Sequence, residues 1–291
     1  AMAAEIDLCA RALKATGVRP GDRITMAMPN CPQAVIMFYA INLVGATANM
    51  IHPLSSEKEI EFYLKESGSI FAVTLDQTQV ENYVATLRKK YDSIFRSRTF
   101  MTSYGKEITV DGGDYGWWMN YQQEAKELAA QIETGESGER MPVYYQTAAS
   151  YGAPDYGDTY VEINLTAQHL FFYKDGQLVM ESDFVSGNSA RGYDTPEGTY
   201  SITYKQRNAT LVGENYETPV SYWMPFNKNI GMHDATWRAS FGGIIYKTKG
   251  SHGCINMPYE KAQELYGYIE KGTPVICYHL AGTECSTESE L

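Results

Sequence analysis

What most constrains the fold is a change of period partway along the chain. Up to residue 77, apolar residues recur at helical spacing in segments separated by short extended runs. Residues 3–14 place Ile6, Leu8, Ala10 and Leu13 among the positions of one helix. Residues 24–28 read as a strand closed by Pro29; Pro32 opens a helix that Gly45 ends. A second strand over 48–51 follows, then a helix over 56–67 with Ser55 or Ser56 as N-cap, then a third strand over 70–75. Strand–helix–strand–helix–strand implies a small parallel sheet. From Asp158 the period becomes two: Tyr160, Ile163 and Leu165, then residues 170–173, an Asp175-Gly176 turn and residues 178–180. Further strands are expected over 199–204, 219–224 and 274–278, with one helix over 259–269. Many short strands with one helix suggest a curved β-sandwich or half-open barrel. The whole chain is expected to be α+β and multidomain.

Residues 78–157 read as a separate region. Val80, Tyr83, Val84, Leu87 and Tyr91 form one helical stripe over 80–91. Residues 98–110 suggest a hairpin turning at Tyr104-Gly105-Lys106, and 121–133 a second helix. Between them lies a Gly-rich loop with Trp117 and Trp118; packing is the plainer reading of these aromatics, glycan contact the sharper one. Residues 281–291 read as a disordered tail.

The chemistry-bearing residues cluster late. Ser251-His252-Gly253-Cys254-Ile255-Asn256 stands together, with His233 separated from Ser251 by seventeen residues. A Cys with a separated His is the minimal equipment for a thiol nucleophile and its base. Gly253 has no side chain to obstruct a substrate, and its N–H is expected to face a developing oxyanion. Cys277 sits in an apolar run and reads as core. Zinc sites usually show paired ligands at short spacing, and the five cysteines show none, so no metal or other cofactor is expected. Nor do these scattered cysteines make a disulfide framework.

The block Ser251–Asn256 with its upstream His233 resembles the active-site signature of the L,D-transpeptidase catalytic domain family, cysteine enzymes that cross-link bacterial peptidoglycan. Gly187-Asn188 followed by residues 195–200 is similar to the family's turn ahead of the catalytic half, and residues 160–176 to its opening hairpin. The resemblance covers residues 158–278. It implies Cys254 as nucleophile and His233 as base. Gly253, His252, Ser251, Asp234 and Asn256 are implied as oxyanion or supporting groups, with the Asp234 backbone orienting the imidazole. Tyr222, Trp223 and Trp237 are expected to shape a substrate pocket. The implied partners are peptidoglycan stem peptides and carbapenem-type inhibitors. The implied reaction forms 3→3 cross-links through a Cys thioester with release of D-Ala. L,D-carboxypeptidase activity at the same site, or a non-catalytic wall-binding role, are the alternatives.

Residues 1–77 resemble the N-terminal part of adenylate-forming acyl-CoA ligases, through Gly17-Val18, Gly21-Asp22-Arg23, Met28-Pro29-Asn30-Cys31 and Gly45-Ala46. The Ser/Thr/Gly-rich phosphate loop ending in Lys is missing, so no ATP use is expected. The expected domains are therefore a ligase-like fragment (1–77), an accessory, wall-binding-like domain (78–157), and the catalytic domain (158–280). The accessory region is similar to the one that precedes the catalytic domain in Gram-positive L,D-transpeptidases.

Charge narrows the partners. Residues 1–78 hold six Lys/Arg against eight Asp/Glu, so most of the net charge of −11 lies in the remainder. Such acidity disfavours nucleic acid and anionic membranes. No basic region leading into an apolar stretch opens the sequence, while the family resemblance implies an extracytoplasmic, cell-wall location.

Overall fold

The computed structural model describes residues 2–74, 76–134, 138–213 and 216–284. The chain divides into two compact units, Ala1–Tyr91 with Met119–Tyr145, and Asp92–Trp118 with Gln146–Leu291. Segment 78–157 contributes to both.

The first unit contains α1 (Met2–Ala15), β1 (Arg23–Ala27), α2 (Pro32–Val44), β2 (Thr47–Met50), α3 (Glu57–Ser67), β3 (Phe71–Thr74), α4 (Gln77–Tyr91) and α5 (Tyr121–Thr134). Its three strands form a parallel sheet in the order β2-β1-β3. Ile24 and Met26 of β1 are fully buried in one core with Ala40, Ile41 and Val44 of α2. Local chemistry sets the helix ends. Ser56 and Glu59 form a reciprocal capping box on α3, and Gly45 and Gly68 close α2 and α3 in the left-handed region. A smaller core joins Val84 of α4 to Met119 and Ala125.

The second unit opens with the hairpin β4 (Arg98–Met101) and β5 (Glu107–Val110). It continues through β6 (Tyr160–Asn164), β7 (His169–Lys174), β8 (Gln177–Asp183), β9 (Gly198–Ser201), β10 (Gln206–Gly213), β11 (Tyr216–Asn227) and β12 (Ile230–Asp234). Then come α6 (Tyr246–Lys249), β13 (Ile255–Met257), α7 (Tyr259–Tyr268) and β14 (Pro274–Tyr278). Asp175 (φ 50) and Gly176 (φ 74) turn β7 into β8, as the Asp-Gly pair implied. Two sheets result, in the orders β8-β7-β6-β14-β9 and β10-β11-β12-β13. Val161, Ile163, Leu170 and Phe172 of one sheet share a buried core with Met224, Phe226, Met232 and Ile255 of the other. Leu265 and Ile269 at α7 extend that core. This is a sandwich, and β10, β12 and β13 are strands beyond those expected. The strand expected over 199–204 stops at Ser201, while the one expected over 219–224 is longer.

Packing claims most of the aromatic loop before α5. Tyr115 and Trp117 are buried; Trp117 Nε1 donates to the Ser150 carbonyl at 2.7 Å, and its ring stacks on Tyr151 at 4.3 Å. Beneath them Arg98 and Asp155 form a buried bidentate pair, Nε–Oδ1 2.8 Å and Nη2–Oδ2 2.7 Å. Of the expected tail, residues 285–291 lie outside the described residues, while Thr283 accepts from the Asn164 amide at 3.0 Å and donates to the Leu280 carbonyl.

Candidate active site

Parallel pairing of β12 with β13 sets His233 opposite Asn256. His233 is buried; its Nδ1 faces the Asp234 carbonyl at 2.8 Å and its Nε2 faces Asn256 Nδ2 at 3.0 Å. A carbonyl can only accept, so Nδ1 carries the proton. Asn256 Oδ1 in turn lies 2.8 Å from Arg238 Nε. A guanidinium can only donate, which fixes the amide with its NH2 toward the imidazole. His233 is therefore a neutral Nδ1–H tautomer with its lone pair on Nε2. Burial pushes its pKa below the ordinary 6.5. The Asp234 side chain, also buried, accepts from the Ser221 and Tyr222 amides, both at 2.8 Å, and so ties β12 to β11.

Cys254 is half-buried just before β13, and its thiol donates to the Asn229 carbonyl in the β11–β12 turn at 3.6 Å. Burial pushes the thiol up from 9.0 to about 11. The motif spacing leads one to expect His233 within hydrogen-bond reach of Cys254; no direct hydrogen bond joins the two side chains here. They share one cavity, each held by other partners.

The motif loop is held by its own hydroxyl. Ser251 Oγ donates to the Cys254 carbonyl at 2.6 Å and accepts from the Gly253 N–H at 3.0 Å. This corrects the expectation that the Gly253 amide is free to face an oxyanion: Ser251 already takes it. The Cys254 N–H has no acceptor among the described residues. Gly253 is needed for backbone reasons, with φ +117 and a Cβ position 3.2 Å from Ile230 Cδ1. The turn around Gly187 braces the loop from the other side. Thr195 Oγ1 donates to the Gly253 carbonyl at 2.7 Å and accepts from the Gly187 N–H at 3.1 Å. Backbone bonds tie Ser251 to Ser186 and Asn188.

A cavity of about 480 Å³ opens on the site. His233, Cys254, Asn256, Ser251, His252 and Trp237 line it, with Arg238, Leu211, Thr218 and Gly250. Trp237 is half-exposed, its ring 5.9 Å from that of His233. His252 is exposed, with its ring 4.8 Å from Tyr193. Tyr222 and Trp223 do not line the cavity as expected. Tyr222 turns into the sandwich core, where Tyr259 and Tyr266 pack against it, and Trp223 packs beneath Cys254 with Ala209 and Val220. Arg238, Leu211 and Thr218 were missed by sequence reasoning. Only Arg238 left a signal there, as a cation inside the stretch joining His233 to the motif. A somewhat larger cavity, about 540 Å³, lies against the Arg98–Asp155 pair and holds neither Cys nor His. Among the described residues no cluster of three or more metal-ligating side chains occurs.

Against known proteins, residues 158–277 match the L,D-transpeptidase catalytic domain and residues 1–134 the AMP-binding enzyme family. The crystal structure of a Cys-to-Ser mutant of Enterococcus faecium L,D-transpeptidase is similar with a TM-score of 0.60 and 39% identity, covering 70% of this chain and 83% of that one. The Ldtfm–avibactam carbamoyl enzyme matches with the same score and identity, over 70% and 81%. Fold and matches thus define an acyltransferase domain of the transpeptidase kind. The chain belongs to the L,D-transpeptidase family. Its leading segment is similar to a long-chain-fatty-acid–CoA ligase of Bacillus subtilis, 36% identical over 64 residues, 22% of this chain and 11% of that protein. An acetyl-coenzyme A synthetase of Shewanella sp. strain ANA-3 is 25% identical over 63% of this chain and 30% of its own length. The chain therefore spans between about a tenth and a third of the curated relatives it matches.

Proposed function

We propose that this protein forms 3→3 cross-links between peptidoglycan stem peptides through a thioester on Cys254. The observation that carries this reading is that Cys254 and a neutral His233, its tautomer fixed by the Asp234 carbonyl, open on one cavity. The Cys254 sulfur attacks the carbonyl joining the third stem residue to its terminal D-Ala. The thiol proton passes to His233 Nε2, and Asn256 must yield that lone pair as it does so. Nε2 then protonates the leaving amine, the C–N bond breaks, and D-Ala departs. The side-chain amine of a second stem attacks the thioester, gives its proton back to the thiolate through His233, and leaves an amide. The unpaired Cys254 N–H is the candidate oxyanion donor, a group worth roughly 3 kcal/mol in other enzymes. Burial raises the thiol pKa and lowers that of the imidazole, which favours the neutral form of each, so the thiol proton moves to Nε2 as the sulfur attacks.

In the same reading the catalytic domain is residues 158–280, preceded by a ligase-like fragment (1–77) and an accessory segment (78–157). The site of action is extracytoplasmic, at the cell wall, and carbapenem-type compounds acylate Cys254. No helix of the described residues is long and apolar enough to cross a membrane. The test is product analysis with a tetrapeptide stem. The wild type should release D-Ala and form a cross-linked dimer, and Cys254→Ala neither. Release of D-Ala without dimer, water being the acceptor, would make it an L,D-carboxypeptidase.

A further inference from the structure

One cation lines the cavity, and among the described residues no carboxylate pairs with it. Arg238 is half-buried, and its Nε and Nη1 are spent on Asn256 Oδ1 (2.8 Å) and the Lys249 carbonyl (2.9 Å). Its Nη2 has no acceptor among the described residues, and no carboxylate lies within ion-pair distance of the guanidinium. None of the described residues lining the cavity is Asp or Glu, in a chain whose net charge is −11. Beyond Trp237 and Arg238 the wall continues into a polar recess of about 290 Å³ that Lys249 also lines. A half-buried guanidinium with Nη2 still open can donate a charge-assisted hydrogen bond to a carboxylate.

The position relative to the base narrows which carboxylate. Arg238 and His233 sit at the two ends of the Asn256 carboxamide, one on Oδ1 and one on Nδ2. The leaving group must present its nitrogen to His233 Nε2 to take up a proton. In a terminal amino acid the carboxylate lies one carbon beyond that nitrogen, so the two groups can face the two ends that Asn256 bridges. We propose that Arg238 is a specificity-determining residue that binds the free α-carboxylate of the donor's terminal residue. The enzyme is thereby restricted to cutting at the last peptide bond of a stem. This rests on the transpeptidase reading above.

The test uses the full chain and three donors: a tetrapeptide ending in D-Ala, the same peptide ending in D-alaninamide, and one whose third-residue side chain carries an amidated carboxylate. The wild type should release D-Ala at least tenfold faster, in kcat/KM, than it releases D-alaninamide. Amidation at the third residue should leave the rate within a few-fold. In Arg238→Gln the preference should collapse toward one, and Arg238→Lys should keep part of it. Equal wild-type rates with acid and amide termini overturn the proposal. So does a preference that survives in Arg238→Gln while both rates fall together, which is what a purely structural role through Asn256 gives. A preference that follows the third-residue carboxylate also overturns it. Absence of release from every donor, with no carbapenem adduct on Cys254, instead refutes the transpeptidase reading itself.

Discussion

Asn256 donates its amide N–H to Nε2 of His233 across 3.0 Å, so the lone pair of the proposed base is occupied in the resting site. The orientation is enforced from behind by Arg238, which can only donate to the other end of the carboxamide. Replacing Asn256 with Asp keeps that Arg238 contact but substitutes an acceptor for the donor. A carboxylate there favours the protonated imidazole. Asn256→Asp should therefore move the acid limb of carbapenem acylation to higher pH and lower the rate at neutrality roughly tenfold or more. A pH–rate profile that superimposes on the wild type contradicts the arrangement.

The pH dependence of the wild type has a definite sign. Burial lowers the His233 pKa below 6.5, and the protonated ring cannot accept the thiol proton. The acid-side inflection of acylation should therefore lie below pH 6.5. Stopped-flow acylation rates across pH 4.5–8, with ionic strength fixed, read this directly. An inflection above 6.5 would mean that the imidazole is charged more easily than its burial allows.

Arg98 and Asp155 are predicted to matter for folding and not for chemistry. Both are buried, and Ser93 Oγ also donates to Asp155. Removing one partner of such a pair strands the other charge, at a cost of about 3–5 kcal/mol. Asp155→Ala should lower the unfolding free energy of the second unit by that order, read as a lower urea midpoint. Molecules still folded should keep their acylation rate per site.

ATP should be irrelevant to turnover. The match to AMP-binding enzymes covers residues 1–134, but the phosphate loop that would hold the nucleotide is missing from the sequence. ATP–pyrophosphate exchange by the full chain should stay at background with acetate or a long-chain fatty acid. Exchange above background would show that the leading segment retains ligase chemistry.

Much of the architecture was legible because local chemistry fixed it. Ser56 with Glu59, Gly45, Gly68 and the Asp175-Gly176 turn each dictate a backbone geometry within a few residues. Strands β12 and β13 were not legible because each is short: Met232, Ile255 and Met257 face the core with His233 and Asn256 on the alternate face, too few positions to establish a period. The proposed nucleophile and base were evident from spacing, but their partners were not. Whether Gly253 offers its amide to a substrate depends on where Ser251 Oγ points, and that is set by side-chain geometry. Tyr222 and Trp223 are neighbours on β11 and face opposite ways, Tyr222 into the core and Trp223 against Cys254 and His233, a choice of face that composition alone does not reveal. Arg238 acquires meaning only through its reach to Asn256.

The central claim is that Cys254 is the acylated nucleophile. The most direct measurement is intact-protein mass spectrometry after incubation with a carbapenem, followed by peptide mapping. One adduct per chain is expected, carried by the peptide containing Cys254, and none in Cys254→Ala. An adduct on Cys277, which is fully buried in β14, or an adduct that persists in Cys254→Ala, would contradict it.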